Sequence, residues 1–139
     1  MPAGYSGTPL VKKLGIKPGF RVYVRHPPQD YLELVKPIPE SVTMLKRLVN
    51  DVDFIHFFVK QRRELEKQLP KYQAKMCQDG MIWISWPKKA SKVPTDVTED
   101  VIREVCLPMG LVDVKVCAVD EVWSGLKLVI RKELRQPAR

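Results

Sequence analysis

Cysteine and histidine are scarce in this chain of 139 residues. The three cysteines, Cys77, Cys106 and Cys117, are odd in number and form no CxxC pair. That excludes a disulfide framework and a cysteine zinc site. Cys106 and Cys117 sit in apolar sequence and read as small buried hydrophobes. Reduced thiols fit the cytosol. With only two histidines, His26 and His56, a metal site would need carboxylates, and none is suitably spaced. No metal is expected. Long hydrophobic runs are also missing. The longest have strand length, such as residues 81–86, so none reads as a membrane-spanning helix. Residues 1–14 lack an apolar core followed by a small-residue cleavage site. The expectation is a cytoplasmic protein with no membrane partner.

Glycine-rich motifs are absent as well. No G-x-G-x-x-G follows the first predicted strand, where the chain reads VRHPPQDY (residues 24–31). Without those glycines a dinucleotide or adenosyl cofactor cannot approach the backbone in the usual way. There is no P-loop, no HExxH and no nucleophile elbow. No cofactor is expected, and no catalytic residue can be assigned.

What is present is a globular composition, 45% hydrophobic and 29% charged. The length suits one α/β domain over residues 1–139. Lys and Arg outnumber Asp and Glu by 24 to 16, a net charge of +8. Such an excess favours anionic partners.

Residues 1–8, with Gly, Ser and Pro, read as an N-terminal arm. Thr8 and Pro9 read as the cap and first position of a short helix that Gly15 stops. Residues 20–25 alternate as a strand, with Phe20, Val22 and Val24 on one face. Residues 29–36 read as a helix with Tyr31, Leu32 and Val35 inward. Residues 42–45 form a possible second strand. Residues 53–59 are nearly all apolar, as in a strand buried on both faces. His56 interrupts that run and reads as a satisfied core histidine. Residues 62–76 form an amphipathic helix that Pro70 should kink or restart.

Asp79-Gly80 is then a turn and residues 81–86 a buried strand. Asp96 and Glu99 resemble a capping box ahead of Val97, Val101 and Val105, with Thr95 as the alternative cap. Residues 111–119 alternate through Val112, Val114, Val116 and Ala118. Residues 126–131 are the last strand, and the basic tail, residues 134–139, should fray. Strands alternating with helices predict a mainly parallel sheet covered on both faces. The last two strands are too close in sequence to be parallel, so they form an antiparallel hairpin. By analogy with Rossmann-like methyltransferases, the expected fold is a three-layer Rossmann-like α/β sheet of order 2-1-3-4-6-5.

In such sheets ligands bind beyond the carboxyl ends of the strands. That rim would carry His26, Lys60, Gln61, Glu121 and two clusters. The first is WPKKASKVPTD (residues 86–96), with Trp86, Lys88, Lys89, Ser91 and Lys92 ahead of a helix. Lysines beside a helix N-terminus form an anion site, although Asp96 or Glu99 would compete for the same N–H groups as caps. The alternative is a solvated basic loop. The second cluster is DEVWSGLK (residues 120–127), with Asp120, Trp123 and Ser124. Trp123 either covers the sheet edge or stacks on a planar ligand. The ligand-binding set is therefore Trp86, Lys88, Lys89, Ser91, Lys92, Asp120, Trp123 and Ser124, provided the two loops share one rim.

Three stretches carry a family resemblance: GYSGTPLVKKLGIKPG (residues 4–19), SWPKKASKVPTDVTE (residues 85–99) and VDVKVCAVDEVWSGLKLV (residues 112–129). They resemble the small bacterial proteins grouped as domain of unknown function 3052, over about residues 4–132. The resemblance marks these loops as the family's hallmark and implies no activity. KKLGIKPGFRV (residues 12–22) and DGMIWISWP (residues 79–87) look like class I methyltransferase segments. That likeness implies the fold and not the activity, since the glycine motif and a ribose-binding acid are missing.

Three functions are consistent with these readings. One is a small-ligand or anion-binding domain without methyltransferase activity. The second is a basic adaptor for nucleic acid or an acidic protein, using Lys12, Lys13, Lys17, Arg62, Arg63, Arg131, Lys132 and Arg135. It ranks below the first because those residues are scattered over many elements. The third is an enzyme using Lys89 or Asp120. The sequence leaves the oligomeric state open.

Overall fold

In the computed structural model the described residues are 7–137. The expected N-terminal arm therefore lies outside them for residues 1–6, as do residues 138–139 of the expected tail. Alternating apolar positions extend the chain as β1 (Arg21–Arg25), the exposed pair Thr43–Met44 forms β2 beside it, and the apolar run becomes β3 (Val52–Phe58). β4 (Met76–Pro87), β5 (Leu111–Ala118) and β6 (Trp123–Ile130) follow. They form one six-stranded sheet of order β2-β1-β3-β4-β6-β5, the order expected. β1 pairs parallel with β2 and β3, and β3 pairs parallel with β4. β6 pairs antiparallel with both β4 and β5.

Helices cover both faces. α1 (Leu10–Leu14) and α2 (Tyr31–Val35) lie on one side, over a core that includes Val22, Phe54, Phe58 and Trp83. α3 (Arg62–Lys75) and α4 (Glu99–Cys106) lie on the other, over Ile55, Phe57, Ile82 and Leu126. Among the described residues no helix is long and apolar enough to cross a membrane.

α1 starts one residue later than expected, and Pro9 supplies its first accepting carbonyl. Gly15 ends it as predicted. Its φ of 84° is the left-handed conformation glycine tolerates, and the N–H groups of Gly15 and Ile16 close on Val11 and Lys12. In α2, Tyr31 and Val35 are buried but Leu32 is 60% exposed, so Leu32 is not an inward position. Five residues make little more than one turn, and Tyr31, Leu34 and Val35 meet the core while Leu32 and Glu33 face outward.

Pro70 does not break α3. It lies on the exposed side, as does Glu66, whose carbonyl loses its helical partner and faces water. Asp79-Gly80 is not a turn. Both residues fall within β4, at a bulge where Val52 pairs with Met76 but Phe54 pairs with Met81. A Cβ on Gly80 would stand 3.0 Å from the carbonyl oxygens of Asp53 and Cys77.

The cap of α4 also differs. Thr98 caps it, accepting from the N–H of Val101 at 3.1 Å. Asp96 instead accepts from the N–H of Arg62 at 2.6 Å and so serves the first turn of α3. Thr95 donates to the Lys60 carbonyl and accepts from the Val97 N–H. α4 buries Ile102 and Cys106, while Val101 and Val105 are half-buried. β5 is an edge strand, which leaves Val114 and Val116 about half exposed despite their alternation. Two hydrogen bonds link the described part of the tail to the domain. Arg135 donates from Nε to the Ile130 carbonyl, and the Gln136 N–H to the Gln78 side chain.

Candidate functional site at the carboxyl rim

Since β1, β2, β3, β4 and β5 run in one direction, their carboxyl ends share one rim. The two sequence-derived loops meet there. Pro87 is paired with Trp123, and the Lys88 N–H donates to the Val122 carbonyl at 2.7 Å. The side chains face different ways, however. Trp86 is buried on the α3–α4 side beside Val97. Trp123 lies on the α1–α2 side, edge-on to Phe58 with ring centroids 5.1 Å apart. It packs on the core from a strand inside the sheet and does not cover the sheet edge, which β5 forms. Ser124 sits opposite Trp86 in β6.

The small polar groups are occupied locally. Ser91 Oγ donates to the Lys88 carbonyl at 2.6 Å and accepts from the Val93 N–H, closing a short 3-10 turn. Asp120 Oδ1 accepts from the N–H groups of Val122 and Trp123 at 2.8 and 2.7 Å. That bond pattern builds the β5–β6 turn. Lys89 is exposed on the 3-10 turn, and Lys92 ends it with φ of 60°. The first turn of α4 begins seven residues after Lys92 and already has its own cap. The lysine loop and a free helix N-terminus are therefore not joined into one anion site.

A cleft of about 590 Å³ opens on the same rim, on the α1–α2 side. Thr8, Pro9, Leu10 and Lys13 form one wall, Asp30, Glu33, Leu34 and Lys36 the second, and residues 118–122 the third. Of the eight residues expected to bind ligand, only Asp120 lines it. Its ionisable lining is Asp30, Glu33, Asp120 and Glu121 against Lys13 and Lys36, and Lys36 is already paired with Glu33 at 2.5 Å. In a chain of net charge +8 this cleft is acidic. A second, smaller cleft of about 400 Å³ lies across α2, lined by Val24, Pro27, Pro28, Leu32, Met44 and Leu45 among others. Asp30 and Glu33 line both. Sequence reasoning missed these two because α2 gives too short a pattern to phase.

Beneath α2 runs a buried polar chain. Tyr31 Oη is 2.9 Å from His56 Nδ1, and His56 Nε2 is 2.7 Å from Ser85 Oγ. The His56 ring stacks on Phe58 at 4.2 Å. Burial lowers the His56 pKa to about 3, so the ring is neutral, and burial raises the Tyr31 hydroxyl well above its usual range. Both ring nitrogens are satisfied, as a core histidine requires. Ser85 is fully buried, so this chain positions α2 and offers no accessible nucleophile. On the other face of the rim, His26 ends β1 with φ of 55°, its Nδ1 3.7 Å from Glu64 Oε2. Lys60 and Gln61 follow β3, and both are exposed. Among the described residues no group of three or more His, Cys, Asp or Glu could hold a metal ion.

A SAM dependent methyltransferase from Aquifex aeolicus superposes with a TM-score of 0.64 at 16% identity, over 87% of this chain and 88% of that one. The magnesium protoporphyrin IX methyltransferase of Synechocystis PCC 6803, solved with bound SAM, gives 0.62 at 10% identity, over 87% and 76%. Aeropyrum pernix fibrillarin, with natively bound S-adenosyl-L-methionine, gives 0.57 at 14% identity, over 87% and 72%. The fold is Rossmann-like. It is shared with S-adenosylmethionine-dependent methyltransferases, at identities that establish architecture alone. No family model matches the chain, and no curated protein matches it.

The cofactor of those neighbours does not fit the residues present at the end of β1. Where a glycine turn would present N–H groups, Pro27 and Pro28 have none to offer, and the Pro28 carbonyl accepts from the Tyr31 N–H to start α2.

Proposed function

We propose that this chain is a small-ligand-binding domain whose ligand sits in the carboxyl-rim cleft between α1, α2 and the β5–β6 turn. The reading rests on that cleft. Its volume of about 590 Å³ suits a metabolite-sized molecule, and it lies on the rim where open α/β sheets bind ligands. Its four carboxylates favour a ligand with a positively charged group over the anion expected from net charge. Recognition would run through side chains of α2 and the hairpin turn, without a glycine-rich backbone approach. The three sequence motifs further lead us to place the chain with domain of unknown function 3052, a grouping that adds no activity.

A thermal-shift panel of amines, amino acids, nucleosides, S-adenosylmethionine and phosphorylated metabolites tests the reading. A cationic compound should raise the melting temperature, and Asp30→Asn with Glu33→Gln should abolish the shift. Stabilisation by phosphates alone, lost in Lys88→Gln with Lys89→Gln, would return the site to the lysine loop. Tight binding of S-adenosylmethionine would overturn the cofactor argument.

A further inference from the structure

Lys115 on β5 and Lys127 on β6 occupy directly opposed positions of the antiparallel hairpin. Like charges facing each other across a sheet destabilise it. Lys127 is half-buried, and burial together with the charges of Lys115 and Lys17 lowers its pKa. Lys115 also donates from Nζ to the Lys13 carbonyl at 2.9 Å, which holds the pair against α1. No carboxylate pairs with Lys17, Lys115 or Lys127 among the described residues. The acid nearest in sequence, Asp113, is held on the opposite face by Arg103 at 3.0 Å, because a bulge between Asp113 and Lys115 shifts the alternation. Two strands and the connection after α1 thus bring three lysines together with no paired counter-charge among the described residues.

We infer that this lysine face binds the phosphate backbone of nucleic acid. None of its three lysines lines either of the two clefts described above, and Lys17 and Lys115 are exposed. A polyanion laid across an open face contacts several ammonium groups at once and releases counterions from each. Lysine is a point charge that takes phosphate from many directions, so recognition here is of backbone and not of sequence. An acidic protein is the weaker fit. Protein interfaces are depleted in lysine at their cores, whereas nucleic-acid interfaces are polar and positively charged. The net charge of +8 supplies the long-range attraction. This inference does not depend on the cleft reading.

The test is fluorescence anisotropy of a labelled mixed-sequence single-stranded RNA with the full chain. Lys115→Gln with Lys127→Gln should weaken binding about tenfold at low salt and flatten the salt dependence by about one slope unit per lysine. Lys67→Gln with Lys71→Gln, which removes the same charge from α3 on the other face, should change binding less than about twofold. The patch variant should keep the wild-type melting temperature or exceed it, since a repulsion is removed. Equal weakening in both variants would reduce the effect to net charge and overturn the proposal. So would the absence of binding. Polyglutamate binding as tightly as RNA, and lost through the same two substitutions, would reassign the face to an acidic protein.

Discussion

Tyr31 on α2 and His56 on β3 are joined by a hydrogen bond of 2.9 Å that is sealed from solvent. It is the polar link between a five-residue helix and the sheet beneath it. Burial keeps His56 neutral, because a charged ring there would be cut off from water.

Acid should therefore weaken the fold through His56. Its pKa is about 6.5 unfolded and about 3 folded. A depressed folded value means that the contribution is complete above pH 6.5 and is lost as pH falls from 6.5 toward 3. The slope is about 1.4 kcal/mol per pH unit, or about 2 kcal/mol by pH 5. Urea unfolding at pH 7 and pH 5 should show that loss in the wild type and a smaller one in His56→Gln. Parallel losses in both proteins would assign the acid sensitivity elsewhere.

Gly80 is required for close approach. An alanine Cβ would stand 3.0 Å from two backbone oxygens and 3.2 Å from a third, none of which is a flexible side-chain end. Gly80→Ala should cost about 1–3 kcal/mol, as overpacking does. Gly110→Ala is a useful contrast. Its added Cβ would meet only the movable end of Leu134, although its φ of 87° brings strain of its own. Chemical denaturation of Gly80→Ala reads the prediction, and a cost within error of zero would mean that the bulge relaxes.

The capping arrangement predicts which helix each residue supports. Thr98→Ala should cost about 1 kcal/mol and raise hydrogen exchange in α4 first. Asp96→Ala should cost a similar amount, about 1 kcal/mol, but loosen the first turn of α3, where its carboxylate meets the Arg62 N–H. If Asp96→Ala instead loosened α4, the sequence-based capping box would be right after all.

Those caps show how far the sequence was legible. Patterns that repeat over several residues could be read, such as the alternation of β1, the apolar run of β3 and the short link between β5 and β6. They were enough to find the main strands and the antiparallel hairpin, while the strand order came from the likeness to Rossmann-like methyltransferases. Features that depend on a distant partner could not be read. Asp96 is drawn to Arg62, 34 residues away. Asp79-Gly80 has turn composition, yet the pairing of β4 with β3 holds it in a strand. Val114 and Val116 alternate as core residues do, but nothing in that pattern tells an edge strand from a central one. The candidate site followed the same division. The rim was foreseen from the winding of the sheet, and Asp120 with it. Asp30 and Glu33 were not, because a helix of one turn has no periodicity to detect. The opposed lysines needed the hairpin register, which a bulge shifts by one residue.

α1, a wall of the cleft, is tied to the sheet by an indole. Trp83 is fully buried in β4, and its Nε1 donates to the Leu14 carbonyl at 2.8 Å. Leu14 is the final residue of α1, so its carbonyl has no helical partner and the indole supplies one. The ring has room because Gly125 lies beneath it, where an added Cβ would stand 3.1 Å from Cε3. Trp83→Phe keeps an aromatic ring but orphans a buried carbonyl and leaves a void. The expected cost is about 2–4 kcal/mol. Native-state hydrogen exchange should show the amides of residues 13–16 opening well before the sheet does. If those amides stay as protected as the β4 core, α1 is held by the packing of Val11 and Leu14 alone. The hydrogen bond then does not fix that wall of the cleft.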